Sequence, residues 1–292
     1  MDNLPRLDNY DILRLIAEGG TAKVYFGIDL RSGFPVAIKE LKLRHMGNAV
    51  IRDKFRNMET QLMLYAQHPN IPKLVDFIDL PERNQMFLVM EYIEGRSLEH
   101  YIYREIGLVP EQKALPLFLD ILDTVGFLHK AFIPHMGIRN GVLHLDIKSN
   151  NVILQPNGKI KLIDLGIASR MGADNSTGFG TPAYMPPEQT NGGRLGKYTD
   201  IFALGVMLFE MLTGHLPFNS EKTNPKEFRQ EIRSKIEYYP TPQMSQFYSH
   251  ISPELQYIVE RALAKNPADR YQSCEVFANF IKDFMKRKGY KQ

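Results

Sequence analysis

Strand-type and helix-type segments are segregated along this chain, and that limits its fold more than any other feature of the sequence. In the N-terminal third the periodic segments are short and β-like. Residues 10–16 and 22–29 flank a Gly19-Gly20 turn, Arg31-Ser32-Gly33 leads into a strand over 34–39, and two further strands are predicted near 74–79 and 86–90. One helix interrupts them over 49–66 and stops at His68-Pro69-Asn70, because proline disfavours helical geometry in the residue before it. From Ser97 onward apolar residues recur at helical spacing. Leu115, Phe118, Leu119, Leu122 and Phe127 mark a helix over 111–130, and Cys274, Phe277, Ala278, Ile281 and Phe284 share one face near the C-terminus. Asp200 is predicted as the N-cap of a helix over 201–212 with Gly214 as its stop, and Pro253 after Ser252 opens another helix. Strands first and helices after specify an α+β chain, with a small β-rich lobe over 1–93 and a larger, mostly helical lobe over 94–292.

The 292 residues suffice for two such cores. Composition is that of an ordinary globular chain, 43% hydrophobic and 24% charged, and a net charge of +3 gives no reason to expect nucleic acid as a partner. The single cysteine, Cys274, excludes an intrachain disulfide and fits a reducing compartment, so a cytoplasmic location is expected. No signal peptide is visible behind Met1, and the apolar stretch 201–212 is too short to cross a bilayer. The basic run Lys286-Arg287-Lys288 reads as a solvated helix end; the alternative is the cytoplasmic approach to a membrane tether outside this segment.

Polar chemistry concentrates in His144-Leu145-Asp146-Ile147-Lys148-Ser149-Asn150-Asn151, followed after two short apolar segments by Asp164-Leu165-Gly166. Such a cluster can hold a divalent ion, steer a hydroxyl and neutralise a phosphate. Upstream, Ile16-Ala17-Glu18-Gly19-Gly20-Thr21-Ala22-Lys23-Val24 lets backbone N–H groups approach a bulky anion, although a plain hairpin turn would look the same. Lys39 ends an apolar run, so an inward-pointing ammonium there needs a partner, for which Glu59 is the candidate. A solvated edge lysine and a surface glutamate are the alternatives.

Together these motifs resemble those of protein kinases. The stretch Gly180-Thr181-Pro182-Ala183-Tyr184-Met185-Pro186-Pro187-Glu188-Gln189 looks most like the bacterial serine/threonine kinases of eukaryotic type, and the resemblance spans residues 10–284. It implies a bilobal kinase fold, ATP and magnesium (or manganese) as cofactors, and a protein with a serine or threonine hydroxyl as partner. By that resemblance Ala17, Gly19, Gly20 and Ala22 belong to the phosphate loop, Ile16, Val24 and Ala37 roof the adenine, and Ile153 floors it. Lys39 binds the α- and β-phosphates and Glu59 positions it, so that losing Glu59 lowers activity without unfolding the chain. Met90 is the gatekeeper, and the Glu91 carbonyl and Ile93 amide bond the base. Asp146 takes the proton of the acceptor hydroxyl, Lys148 stabilises the transferred group, Asn151 and Asp164 ligate the metal, and Thr181 with Lys148 marks the serine/threonine branch. Lys39, Asp146 and Asp164 are expected to meet around the terminal phosphate. Glu188 is expected to pair with Arg270, and Asp200-Ile201-Phe202-Ala203-Leu204-Gly205 matches the family's next motif.

Several positions depart from the family pattern. Ala17 and Ala22 replace glycines, Leu165 a phenylalanine, Pro186 an alanine and Phe202 a tryptophan. Leu145 replaces an arginine that commonly grips a phosphorylated activation loop, which weakens the expectation of activation by loop phosphorylation. Ser176 and Thr177 are the expected autophosphorylation sites, ahead of Ser169 and Thr181. The stretch 132–141 is longer than usual; His129, His135 and His144 match no zinc spacing, and His144 reads as a structural brace. The rival readings are a nucleotide-binding pseudokinase or scaffold, a small-molecule phosphotransferase, against which residues 180–188 speak, and an interaction domain using the helical lobe alone.

Overall fold

The computed structural model describes residues 4–65, 67–133, 137, 138, 141–166, 168–170 and 180–291. They fall into two compact units, Met1–Gly95 and Arg96–Gln292. In the first unit β1 (Tyr10–Glu18), β2 (Ala22–Asp29), β3 (Pro35–Leu41), β4 (Leu74–Leu80) and β5 (Gln85–Glu91) form an antiparallel sheet in the order β1-β2-β3-β5-β4. Register decides which side chains share a face, since successive residues of a strand point to opposite sides. Ile38 stands opposite Tyr25 and Val89, and with Tyr10, Ile12, Val36 and Phe87 these residues make the apolar core of one face. Lys39 stands opposite Val24 and Leu88, and Ala37 opposite Met90, so these residues come to the other face.

After β3 the chain forms α1 (Leu43–Met46) and α2 (Ala49–Asp53), the latter capped by Asn48, whose side chain accepts the N–H groups of Val50 and Ile51. A π-helical turn, Lys54–Glu59, and α3 (Thr60–Tyr65) follow. The helix predicted in one piece over 49–66 therefore changes pitch midway, and Ala66 lies outside the described residues. The wide turn carries Phe55 and Glu59 to its buried side; such turns recur at functional positions.

The second unit opens with β6 (Arg96–Ser97), α4 (Leu98–His100) and a π-helical turn, Tyr101–Ile106. Then come α5 (Glu111–Leu128), the short strands β7 (Val142–Leu143), β8 (Val152–Leu154), β9 (Ile160–Leu162) and β10 (Ser169–Arg170), and the helices α6 (Pro187–Thr190), α7 (Lys197–Thr213), α8 (Pro225–Tyr238), α9 (Pro253–Ala262) and α10 (Cys274–Lys288). α7 is buried continuously from Thr199 to Thr213, as expected of a helix that is apolar nearly all round. α5 and α10 bury matching faces, where Phe118 meets Phe277 edge-on at 5.3 Å. Strands β6, β8 and β9 pair antiparallel, and β10 pairs with β7.

One expectation is overturned. Asp200 does not cap α7. The helix begins four residues earlier than expected, at Lys197 after Gly196, whose N–H donates to Thr199 Oγ1 at 3.2 Å. Asp200 sits in the first turn with its side chain turned to a distant segment. A carboxylate ahead of an apolar run satisfies the capping pattern whether its partners are the helix's own amides or remote ones. Gly214 does end the helix, at φ 72°, where a Cβ would collide with the Gly107 carbonyl oxygen. Among the described residues no helix is long and apolar enough to cross a membrane.

Candidate active site

β7 delivers the chain into the polar segment 144–151. Leu145 holds φ 65°, a left-handed conformation that branched residues rarely adopt. Two bonds keep it there: Asp200 accepts the His144 N–H at 2.8 Å and the Leu145 N–H at 2.9 Å. Burial pushes the Asp200 carboxyl upward, but His129, His144 and the Leu145 amide outweigh it and hold the group below the usual aspartate range, so it is anionic. The Leu145 side chain packs with Leu143 and Leu195, and its carbonyl accepts Gln189 Nε2 at 3.1 Å. A phosphate at this position would meet hydrocarbon. His144 is fully buried, and burial pushes its imidazole down and neutral. Its Nδ1 accepts the Asp146 N–H at 3.3 Å, and its Nε2 has no hydrogen-bond partner among the described residues.

The polar side chains that follow close on one another. Lys148 Nζ lies 2.9 Å from Asp146 Oδ2 and donates to Thr181 Oγ1 at 3.0 Å. The Thr181 hydroxyl donates to Asp146 Oδ1 at 2.9 Å. Asn151 Nδ2 donates to the Asp146 carbonyl at 2.9 Å and to its Oδ2 at 3.3 Å, which leaves the amide oxygen as the end that can face a cation. The hairpin of β8 and β9, with Val152 opposite Leu162, brings Asn151 and Asp164 to neighbouring strand ends, and Ile163 N–H donates to the Asn151 carbonyl at 2.8 Å. Asp164 is exposed, holds φ 69° and accepts the Gly166 N–H at 3.1 Å. An amide oxygen beside a carboxylate is a hard-donor pair that suits magnesium, which keeps water and phosphate oxygens as its other ligands. Among the described residues no three histidine, cysteine or acidic side chains converge into a metal cage made by protein alone.

In the first unit Lys39 Nζ lies 2.5 Å from Glu59 Oε1, with the two side chains only 8% and 2% exposed. The turn between β1 and β2 is closed by Gly19 N–H donating to the Ala22 carbonyl at 2.9 Å. A Cβ on Gly20 would meet nothing within 4 Å, so packing within this unit does not require glycine there and space remains beside the backbone. Ile16 is exposed, Val24, Met90, Glu91 and Ile93 are half-buried, and Ala37 is buried; Ile153, in the second unit, is half-buried. The Glu91 N–H donates to the Lys73 carbonyl at 2.9 Å, and its carboxylate accepts the Lys73 N–H at 3.1 Å.

The protein kinase domain family model matches residues 10–281. The chain belongs to that family. It is 34% identical over 271 residues to the serine/threonine-protein kinase PrkC of Bacillus subtilis, covering 91% of this chain and 39% of that protein. It is 30% identical over 266 residues to the serine/threonine-protein kinase PknL of Mycobacterium tuberculosis, covering 90% and 62%, and 30% identical over 276 residues to the probable serine/threonine-protein kinase PknB of Lactococcus lactis, covering 92% and 40%. The chain thus spans between 39% and 62% of the length of these kinases.

Residues 180–188 are anchored by glycine geometry and by Arg270. Gly180 holds φ 131°, and a Cβ there would lie 2.8 Å from Met185 Cε, so the entry to the Thr181–Tyr184 turn demands glycine. Glu188 and Arg270 form a bidentate pair at 2.7 and 2.9 Å. Arg270 also donates to the carbonyls of Ala264, Tyr198 and Lys265, which satisfies the buried guanidinium on every side. Ser176 and Thr177 lie outside the described residues, as do 134–136, 139 and 140 of the long stretch, including His135; Phe132 there is 68% exposed and Ile133 pairs with Ile138.

Two arrangements escape a reading of the sequence. Glu210, buried in α7, accepts Ser149 Oγ at 3.0 Å and the Tyr184 hydroxyl at 2.5 Å, tying the 144–151 segment to residues 180–188. A carboxylate inside an apolar run has to find donors, and that rule was the available signal. Arg44 Nη2 donates to the Gly20 carbonyl at 2.5 Å and Lys42 Nζ lies 2.5 Å from Glu18, holding the glycine turn from α1 and the residue before it. No motif announces that clamp.

Proposed function

We propose that this chain transfers the γ-phosphoryl group of ATP to serine or threonine hydroxyls of proteins, its own among them. The closed ring of Asp146, Lys148 and Thr181, with Asn151 bonded to Asp146, carries the reading, since it supplies a base, a cation and two positioning groups at one point. Phosphoryl transfer asks for in-line placement and charge relief, with little covalent work by the protein. Asp146 orients the acceptor hydroxyl and takes its proton while that oxygen bonds to phosphorus and the bond to the β-phosphate oxygen breaks, releasing ADP. Lys148 offsets negative charge on the group in flight. Asn151 and Asp164 would hold magnesium, or manganese in its place, which when bound neutralises phosphate oxygens. Lys39, fixed by Glu59, would bind the α- and β-phosphates, the turn Gly19–Ala22 would line them, and the backbone at Glu91 and Ile93 beside Met90 would meet the base. The relatives, which are named as serine/threonine-protein kinases, and the Lys148–Thr181 contact support the hydroxyl class of acceptor. The cytoplasm is the ATP-containing setting that this chemistry needs.

Incubation with labelled ATP, magnesium and a basic test protein is expected to label protein, and Asp146→Asn to slow labelling by about 10²–10⁴-fold. Nucleotide binding without labelling would instead favour the pseudokinase or scaffold, a reading to which Ala17 and Ala22 in the phosphate loop lend weight.

A further inference from the structure

The 144–146 segment leans on Asp200, and Asp200 is itself held. Its Oδ2 meets His129 Nε2 at 2.8 Å, and His129 Nδ1 lies 3.7 Å from Cys274 Sγ, within hydrogen-bonding range for sulfur. The three residues come from three element ends: His129 closes α5, Asp200 lies in the first turn of α7, and Cys274 is the first residue of α10. They are 3%, 1% and 2% exposed. Gly126 on α5 permits the approach, because a Cβ there would come within 3.3 Å of the Cys274 Cβ.

The carboxylate fixes the direction of the first of these bonds. Asp200 is anionic, so His129 Nε2 carries a proton and donates. His129 Nδ1 is the ring nitrogen that faces the Cys274 thiol. Burial pushes the Cys274 thiol far above the usual cysteine value, so it keeps its S–H and can donate. Asp200 Oδ2 also accepts the His144 N–H at 2.8 Å. That shared oxygen links the orientation of the His129 ring to the backbone next to Asp146, where Leu145 already holds a left-handed conformation that its surroundings must enforce.

We propose that Cys274 and His129 are positioning residues for phosphoryl transfer, acting through Asp200 on the backbone that carries Asp146. The proposal rests on the kinase reading above. Its reach is modest, because a thiol is a weak donor.

Cys274 is the only cysteine, so replacing it alters no other thiol. The test uses the full chain labelled with ¹⁵N-histidine, following the His129 ring nitrogens by NMR beside kcat and the KM for ATP. Cys274→Ala is expected to move the Nδ1 resonance toward that of an unbonded ring nitrogen and to lower kcat about three- to ten-fold at unchanged KM. Cys274→Ser is expected to restore both. A Cys274→Ala protein with wild-type resonance and kcat, or a serine variant no better than alanine, overturns the relay. Should Cys274→Ala not fold, Cys274→Thr against Cys274→Val asks the same question at equal shape, since only threonine keeps a donor. If the wild-type chain transfers no phosphate, the kinase reading fails and the resonance alone decides whether the relay exists.

Discussion

Lys39 and Glu59 face each other almost without water, 8% and 2% exposed. Removing one charge leaves the other buried in a medium that solvates it poorly. Glu59→Gln is therefore expected to cost about 3 kcal/mol in chemical unfolding as well as activity, more than the loss of activity alone that the sequence suggests. Lys39→Met combined with Glu59→Leu should recover most of that stability while remaining inactive; a double variant as unstable as the sum of the singles would show that the pair is not the unit. Glu210 behaves differently, because its partners are hydroxyls. Burial raises its carboxyl above 4.5, and the bonds from Tyr184, Tyr103 and Ser149 offset only part of that. A folded-state value above the unfolded one means that the native chain holds the proton longer. This support for folding is complete below 4.5 and is lost as pH rises through the folded value. Glu210→Gln should accordingly raise the melting temperature at about pH 8 and lose that advantage by about pH 4. An equal gain at both pH values would contradict the assignment. His144 has the opposite sign: burial lowers it, so its contribution is present above about pH 6.5 and declines as the medium acidifies.

At the scale of elements, most of the fold follows from local rules. The five strands of the first unit lie where alternation and turn residues put them, and α9 and α10 start at Pro253 and Cys274, near a proline start and an apolar periodicity that can be read directly. The pitch change at Lys54–Glu59 and the early start of α7 follow no local signal, because both serve side chains whose partners are remote. α6 shows the consequence. It is a single turn, too short to persist alone, and Glu188 on it is pinned by Arg270 from the loop before α10. Arg270→Lys keeps the charge but loses the fork and the donors to three carbonyls. We expect it to lower stability by about 3 kcal/mol and to raise the KM for protein substrate while the affinity for nucleotide stays the same. A matched loss of nucleotide binding, measured by calorimetry, would show that the pair does more than hold residues 180–188.

For the molecule as a whole, the charges that matter are buried and the exposed pairs are dispensable. Lys130–Glu275 is 71% and 70% exposed, and Arg287–Glu254 is 58% and 53% exposed, conditions in which an ion pair contributes little. Raising salt from about 0.1 to 0.5 M is thus expected to move the melting temperature by no more than about 3 °C. A larger drop would mean that surface charge carries the fold.

Sequence by itself determined the order and type of the elements, the α+β class, the family, and the residue kinds grouped in the 144–151 segment and at Lys39. These depend on periodicity, turn chemistry and short spacings, which act between near neighbours. Tertiary structure alone decided the partners: Asp200 serving the backbone of His144 and Leu145, Glu210 joining Ser149 to Tyr184, and Cys274 reaching His129. A buried polar group must be satisfied, but which distant donor satisfies it depends on which helix faces meet, and no local pattern encodes that.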